Sequence, residues 1–262
     1  VIGFTYDGKP VTCEDLKVAG AMCVLMKDSI KPNLVQSTEN HPIIVHGFPF
    51  ANVAHGNNSV LADMVALRLA DYVVTESGFG ADCGFEKMVN VKCRQSGLKV
   101  DCGVVVASVR ALKMHGGAFV FKPGMPYEKI KAEVERENLE ALERGCENLA
   151  KNIEIVKKFG VPCVVAVNRF ASDTPRELEL VLKKALEAGA DGAAISECWA
   201  KGGEGAIELA KEVLKAVEKP HEMRFLYPDE LSIKEKTEII AKEIYEADGV
   251  DYLPLAKEKI KL

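Results

Sequence analysis

No two cysteines in this chain are spaced as CxxC, and no Cys/His cluster has zinc-ligand spacing, although it holds eight cysteines and five histidines. A zinc ribbon or a dithiol redox motif is therefore not written in the sequence. Basic charge is not in surplus: 34 Lys and Arg stand against 39 Asp and Glu, a net charge of -5. That balance argues against a dedicated nucleic-acid binder. Apolar runs are broken by Gly, Asp, Lys or Arg well before membrane-spanning length, so no transmembrane helix is expected. No secretory signal is visible. Aromatic residues make up only 6%, and Trp199 is the single tryptophan. The scattered cysteines read as reduced thiols serving as small apolar groups, as Cys163 does within Val161–Val165, and they imply a reducing cytoplasm.

What is present is an ordinary globular composition, 48% apolar and 28% charged over 262 residues, enough to bury a substantial core. Short β-rich runs alternate with helical patterns. The expected strands are Ile43–His46, Tyr72–Thr75, Gly103–Ser108, Cys163–Asn168 and Ala193–Ser196. Their apolar centres do not alternate with polar residues, as expected for strands covered on both faces. Helical patterns cover about 59–70, 82–95, 129–159, 174–188, 204–217 and 232–245, the third with an interruption expected near Gly145. In the last, Ile233, Ile239, Ile240 and Ile244 form an apolar stripe. Together these predict an α/β fold: a doubly wound, mostly parallel sheet with helices on both faces.

Two near-motifs fail on inspection. Gly3-Phe4-Thr5-Tyr6-Asp7-Gly8-Lys9 has the glycine and lysine spacing of a phosphate-binding P-loop, but Pro10 comes next. Proline has neither hydroxyl nor N–H to offer, and Asp7-Gly8 suits a type I′ hairpin turn better. Gly78-Phe79-Gly80-Ala81-Asp82-Cys83-Gly84 suggests a dinucleotide fingerprint, yet its third glycine is one residue late and Asp82 would face the pyrophosphate. A glycine-rich turn shaping a sheet edge is the better reading.

Ligands of open parallel sheets bind beyond the carboxyl ends of the strands, so the residues just past each strand are the candidates for a site. The first expected strand leads into a loop rich in His, Asn and Gly, His46 to Asn58, whose Asn57 and Asn58 are placed to cap the next helix. The third leads to Arg110, Lys113 and His115-Gly116-Gly117, read either as a cationic floor for an anion or as a solvated helix end. His46 and His55 are read either as hydrogen-bonded structural residues or as proton-handling groups. The fourth strand ends at Asn168-Arg169-Phe170 and the fifth at Glu197-Cys198-Trp199, with Gly202, Gly203 and Gly205 close behind. Phe170 and Trp199 at neighbouring strand ends suggest an aromatic clamp for a planar, anionic ligand.

Longer blocks carry a resemblance. His46-Gly47-Phe48-Pro49-Phe50-Ala51-Asn52-Val53-Ala54-His55-Gly56, Tyr72-Val73-Val74-Thr75-Glu76-Ser77-Gly78-Phe79-Gly80-Ala81-Asp82, Val109–Gly117 and Trp199-Ala200-Lys201-Gly202-Gly203-Glu204-Gly205 are similar to those of formate–tetrahydrofolate ligases. So are Lys27–Leu34 and Asp248-Gly249-Val250, and the likeness stays in register over the whole chain. Phe48 replaces a second glycine of the family pattern, and Glu246 replaces another.

The resemblance implies ATP-dependent ligation of formate to tetrahydrofolate through formyl phosphate, with ATP and its Mg as substrate, in a family with a monovalent cation preference. It implies a P-loop-NTPase-like core, incomplete here, with 1–164 part of a nucleotide and formyl-phosphate domain and 165–262 a folate-binding α/β domain. Phe170 and Trp199 then fall on the pterin sandwich. Ala51, Asn52, Arg110 and Lys113 line the formyl-phosphate side, and His46 and His55 are the candidate catalytic histidines. A homotetramer is implied, as are an upstream segment carrying the true P-loop and a further downstream one. The chain opens Val1-Ile2-Gly3 without methionine, and the expectation is a partial enzyme that is inactive alone. The alternative is a non-catalytic folate-binding subunit or scaffold needing a partner chain that carries the P-loop. Neither nucleic acid nor a membrane is expected as a partner.

Overall fold

The structure, a computed structural model, describes residues 1–47, 54–119, 122 and 124–261. Ala51 and Asn52 lie outside the described residues. The chain divides into two compact units, Val1–Ala51 with Asn58–Glu76, and Asn52–Asn57 with Ser77–Leu262. The expected boundary at 164/165 falls inside a strand of the second unit. No helix among the described residues is long and apolar enough to cross a membrane.

The first unit opens with a small hairpin of β1 (Gly3–Phe4) and β2 (Pro10–Val11). Its turn closes through Gly8 N–H to the Thr5 carbonyl, 2.9 Å, with Gly8 at φ +82°. Asp7 does not share that positive φ, so the turn is not the expected type I′. It fits a type I turn followed by a left-handed glycine. The P-loop-like string is thus a hairpin. Next come helix α1 (Ala19–Met26), then β3 (Asn33–Gln36) paired antiparallel with β4 (Pro42–Val45). The expected strand at 43–46 therefore belongs to a hairpin and not to the parallel sheet. Helix α2 (Val60–Ala66) is capped by Ser59, whose Oγ accepts from Ala62 N–H at 3.0 Å. The expected cap residue Asn58 instead accepts from Ser59 N–H and donates to the Ile44 carbonyl. Tyr72–Thr75 forms no strand: β-propensity reports a fit to a pleated surface and does not supply a neighbouring strand.

The second unit holds the core. Residues 81–96 form the expected helix, but Ala81–Phe85 and Met88–Cys93 are π-wound before Arg94–Ser96 closes it. A Cβ on Gly84 would overlap the Gly78 backbone. Gly84 of the near-fingerprint thus serves backbone packing against Gly78. Three parallel strands come after it, β5 (Gly103–Ala107), β6 (Cys163–Asn168) and β7 (Gly192–Ser196), in that spatial order. Gly103 pairs with Cys163, and Asn168 with Ser196. Every residue from Cys163 to Val167 is buried, which is why β6 shows no polar alternation.

Helices α3 (Val109–His115), α4 (Tyr127–Glu135) and α5 (Leu139–Lys158) separate β5 from β6, and α6 (Pro175–Glu187) separates β6 from β7. Helix α7 (Ile207–Val217) packs on β6 and β7, and α8 (Ile233–Glu243) and α9 (Pro254–Lys259) complete the chain. The long helical pattern breaks at Arg136–Asn138, where Asn138 caps α5, and not at Gly145. The apolar stripe of α8 delivers Ile244 to the core, while Ile233 stays exposed.

Helix α6 begins where its sequence says it should. Thr174 Oγ1 accepts from Glu177 N–H, Glu177 Oε2 accepts from Thr174 N–H, and Pro175 opens the first turn. Thr174→Ala is expected to cost about 1 kcal/mol in urea unfolding. No loss would show the cap to be redundant.

Candidate functional site at the ends of β6 and β7

Parallel pairing sets Phe170 and Trp199 at the same edge of the sheet. Phe170 lies two residues beyond Asn168, Trp199 three beyond Ser196, and those two residues are register partners. The ladder runs one step further, with Arg169 N–H donating to the Ser196 carbonyl at 3.0 Å. Side chains tie the two ends as well: Arg169 Nη1 donates to Glu197 Oε1 at 2.8 Å, and Lys201 binds the other oxygen. The hydrogen bond from Lys201, with the Arg169 guanidinium beside it, holds the Glu197 carboxyl below its usual range.

Trp199 stands on a short helical turn, Cys198–Lys201, and is 98% exposed. The glycine-rich stretch behind it explains that position. The Gly205 carbonyl accepts from Glu197 N–H, and a Cβ on Gly205 would crowd Glu197 and Cys198 N, so the stretch folds tightly against the strand end. Phe170 is 37% exposed, and the Arg110 guanidinium lies over its ring at 3.7 Å from the centroid. Neither ring is used up in the core.

The remaining predicted residues sort differently. Lys113 does not reach the surface. It is 1% exposed and donates to Glu177 Oε1 at 2.8 Å and to the Arg136 carbonyl at 3.0 Å, while Glu177 is 0% exposed. Its charge is already matched by a carboxylate. Gly117, at φ +76°, ends α3, and Gly116 packs against α5; His115 is exposed. His46 belongs to the first unit, where Nδ1 meets Ser59 Oγ at 2.7 Å and Nε2 meets the Ser29 carbonyl at 2.9 Å. The carbonyl can only accept, so Nε2–H donates to it. Both ring nitrogens are engaged, which ties the turn after Asp28 to the start of α2. His55 lies in the second unit.

Sequence reasoning missed Asp173 and Glu177. Asp173 is buried at the turn after β6, where its Oδ2 accepts from Phe170 N–H at 2.8 Å. Burial pushes its carboxyl above the usual range. The cue for Glu177 was present in Thr174-Pro175-Arg176-Glu177, a capping box; nothing local marked its partner.

Comparison with known proteins decides the lineage. The family described as "Formate--tetrahydrofolate ligase" matches residues 1–262. The chain belongs to that family. A formate–tetrahydrofolate ligase of Desulforamulus reducens is 59% identical over 261 residues, covering 100% of this chain and 46% of the relative. The chain thus spans about half the length of that curated relative. Membership makes this an α/β chain of a ligase family. Among the described residues no group of three or more His, Cys, Asp or Glu side chains is placed to hold a metal. The eight thiols are free, yet only Cys93, Cys146 and Cys163 are buried; burial pushes the Cys163 thiol up to about 12.

Proposed function

We propose that this chain serves the ATP-dependent joining of formate to tetrahydrofolate. In that reaction a formate oxygen takes the terminal phosphoryl group of ATP, giving formyl phosphate and ADP. The N10 amine of tetrahydrofolate then attacks the formyl carbon, the C–O bond to phosphate breaks, and the amine loses its proton. The second step needs the amine held against a reactive anhydride, so a surface that fixes the folate ring has direct value. Phe170 and Trp199 supply that surface in this reading.

Residues 165–262 then form the folate-binding part and 1–164 part of the formyl-phosphate side. Ala51 and Asn52 are the proposed amide donors to formyl phosphate, and His55 the proposed proton-handling group. His46, engaged at both nitrogens, holds the beginning of the loop. Arg110 adds positive charge near the ring, and Lys113 enters only as half of a buried ion pair. Mg accompanies ATP as its counter-ion, and a monovalent cation and a homotetramer belong to the same reading. The free thiols agree with a cytoplasmic setting.

The observation that carries the proposal is the emergence of two unburied aromatic rings from register-paired strand ends, in a chain of this family. Titrating tetrahydrofolate into the native polypeptide is expected to quench the single tryptophan. Phe170→Ala, read through that quenching, is expected to weaken binding by about 1–2 kcal/mol. Trp199→Ala, read by calorimetry, should do the same. Fluorescence indifferent to tetrahydrofolate, with calorimetry silent as well, would remove the folate site.

A further inference from the structure

Phe170 is held on two sides by residues the reaction does not name. From α3, Arg110 lays its guanidinium over one face of the ring, 3.7 Å from the centroid. Its Nε is buried and, among the described residues, has no hydrogen-bond partner. The guanidinium thus forgoes a hydrogen bond to lie on the ring, a choice that makes sense where the ring contact is itself useful. From the other side, Asp173 fixes the backbone. Its carboxylate accepts from Phe170 N–H at 2.8 Å and its own N–H donates to the Phe170 carbonyl at 3.0 Å. Lys113, one helical turn after Arg110, is committed to Glu177, so it does not compete for Asp173 or the ring. With the cation over one face of the ring, Phe170 remains 37% exposed.

We infer that Arg110 and Asp173 are positioning residues for Phe170, and that Arg110 tunes the opposite ring face toward electron-rich heterocycles, the reduced pterin over the oxidised one. A cation on one face draws π density toward itself and leaves the opposite face less negative. A less negative face stacks better on an electron-rich ring. The reduced pterin carries ring amines that donate electrons, while the oxidised ring is electron-poor. This inference rests on the folate reading above and adds to it the ring's oxidation state as a selected property.

The test measures dissociation constants of tetrahydrofolate and of folic acid for the native polypeptide by calorimetry, with circular dichroism to check folding. Arg110→Met keeps the bulk and removes the cation. It is expected to weaken tetrahydrofolate about three- to fivefold, and folic acid less, so that the preference narrows. Arg110→Lys should retain part of the preference. Asp173→Asn, which keeps an acceptor for Phe170 N–H, should bind nearly as the parent does, while Asp173→Ala should weaken both ligands. Equal losses for both ligands in Arg110→Met, unchanged binding, or tighter binding would each overturn the inference. Should Arg110→Met fail to fold, the preference of Arg110→Lys against the parent and the Asp173 pair decide the matter. Phe170→Ala and Trp199→Ala run alongside: if they too leave both ligands unaffected, it is the folate reading that falls. If they weaken binding and Arg110→Met does not, that reading stands and only this inference is lost.

Discussion

Lys113→Met is expected to destabilise the protein by about 3–5 kcal/mol, the usual consequence of removing one partner from a buried ion pair. The loss would be read as a fall in the urea midpoint at unchanged slope. Glu177 is wholly buried and its Oε1 accepts from both Lys113 Nζ and Asn138 N–H, while Oε2 accepts from Thr174 N–H. Take away the ammonium and a carboxylate remains in the interior with two amide donors and no countercharge. The damage spreads because this one carboxylate joins the last turn of α3 to the caps of α5 and α6. Removing both charges together, as Lys113→Met with Glu177→Leu, should recover much of the loss, since a hydrophobic replacement of a buried pair is often close to neutral. The uncapped amides of Asn138 and Thr174 set what cannot be recovered. A Lys113→Met protein as stable as the parent would mean the ammonium is not committed to Glu177 and is free for a ligand.

That residue also shows where sequence reasoning ends. Lys113 stands in a string with Arg110 and His115, and neighbouring cations at a strand end read naturally as an anion site. Its partner lies 64 residues away, and no periodicity signals a contact of that span. By contrast, the parallel sheet was legible because complete burial of β6 removes polar residues from five consecutive positions. The strand ends were legible for the same reason, and with them the placing of Phe170 and Trp199. Tyr72–Thr75 has the composition of a strand, but composition reports a fit to a pleated surface and not the presence of a neighbour. The cap of α2 moved from Asn58 to Ser59 because Asn58 is drawn to the Ile44 carbonyl, again a contact outside any local window.

Gly145→Ala decides between two opposed effects. Helix propensity alone favours the change: alanine within an α-helix is better than glycine by about 1 kcal/mol. On that ground Gly145 reads as a weak point, and a break in the helix would be expected there. The structure runs α5 unbroken from Leu139 to Lys158, with Gly145 buried against α3. A Cβ on Gly145 would overlap the Leu112 carbonyl oxygen, and one on Gly116 would overlap the Ala141 carbonyl oxygen. The two helices thus touch backbone to backbone at a pair of reciprocal glycines, with Arg144 Nε binding the Gly116 carbonyl at 3.0 Å beside them. A methyl group cannot be absorbed by a rotamer change when its obstacle is main chain. The helices must separate, opening the packing of Leu112, Leu142 and Cys146. Overpacking of this kind costs about 1–3 kcal/mol, occasionally more, and a rigid obstacle puts this site at the upper end. After the propensity gain, Gly145→Ala should lower stability by about 2 kcal/mol, seen as a drop in the thermal and urea midpoints. The same substitution at Gly124, where a Cβ meets nothing within 4 Å but φ is +82°, should register only the cost of its backbone conformation. If Gly145→Ala stabilised the chain, propensity would have won and the close crossing of α3 and α5 would be wrong. Because Arg110 and Lys113 both hang from α3, the glycine crossing also sets where the Phe170 contact begins. On the proposed folate reading, a destabilised Gly145→Ala protein is therefore expected to lose tetrahydrofolate affinity along with stability.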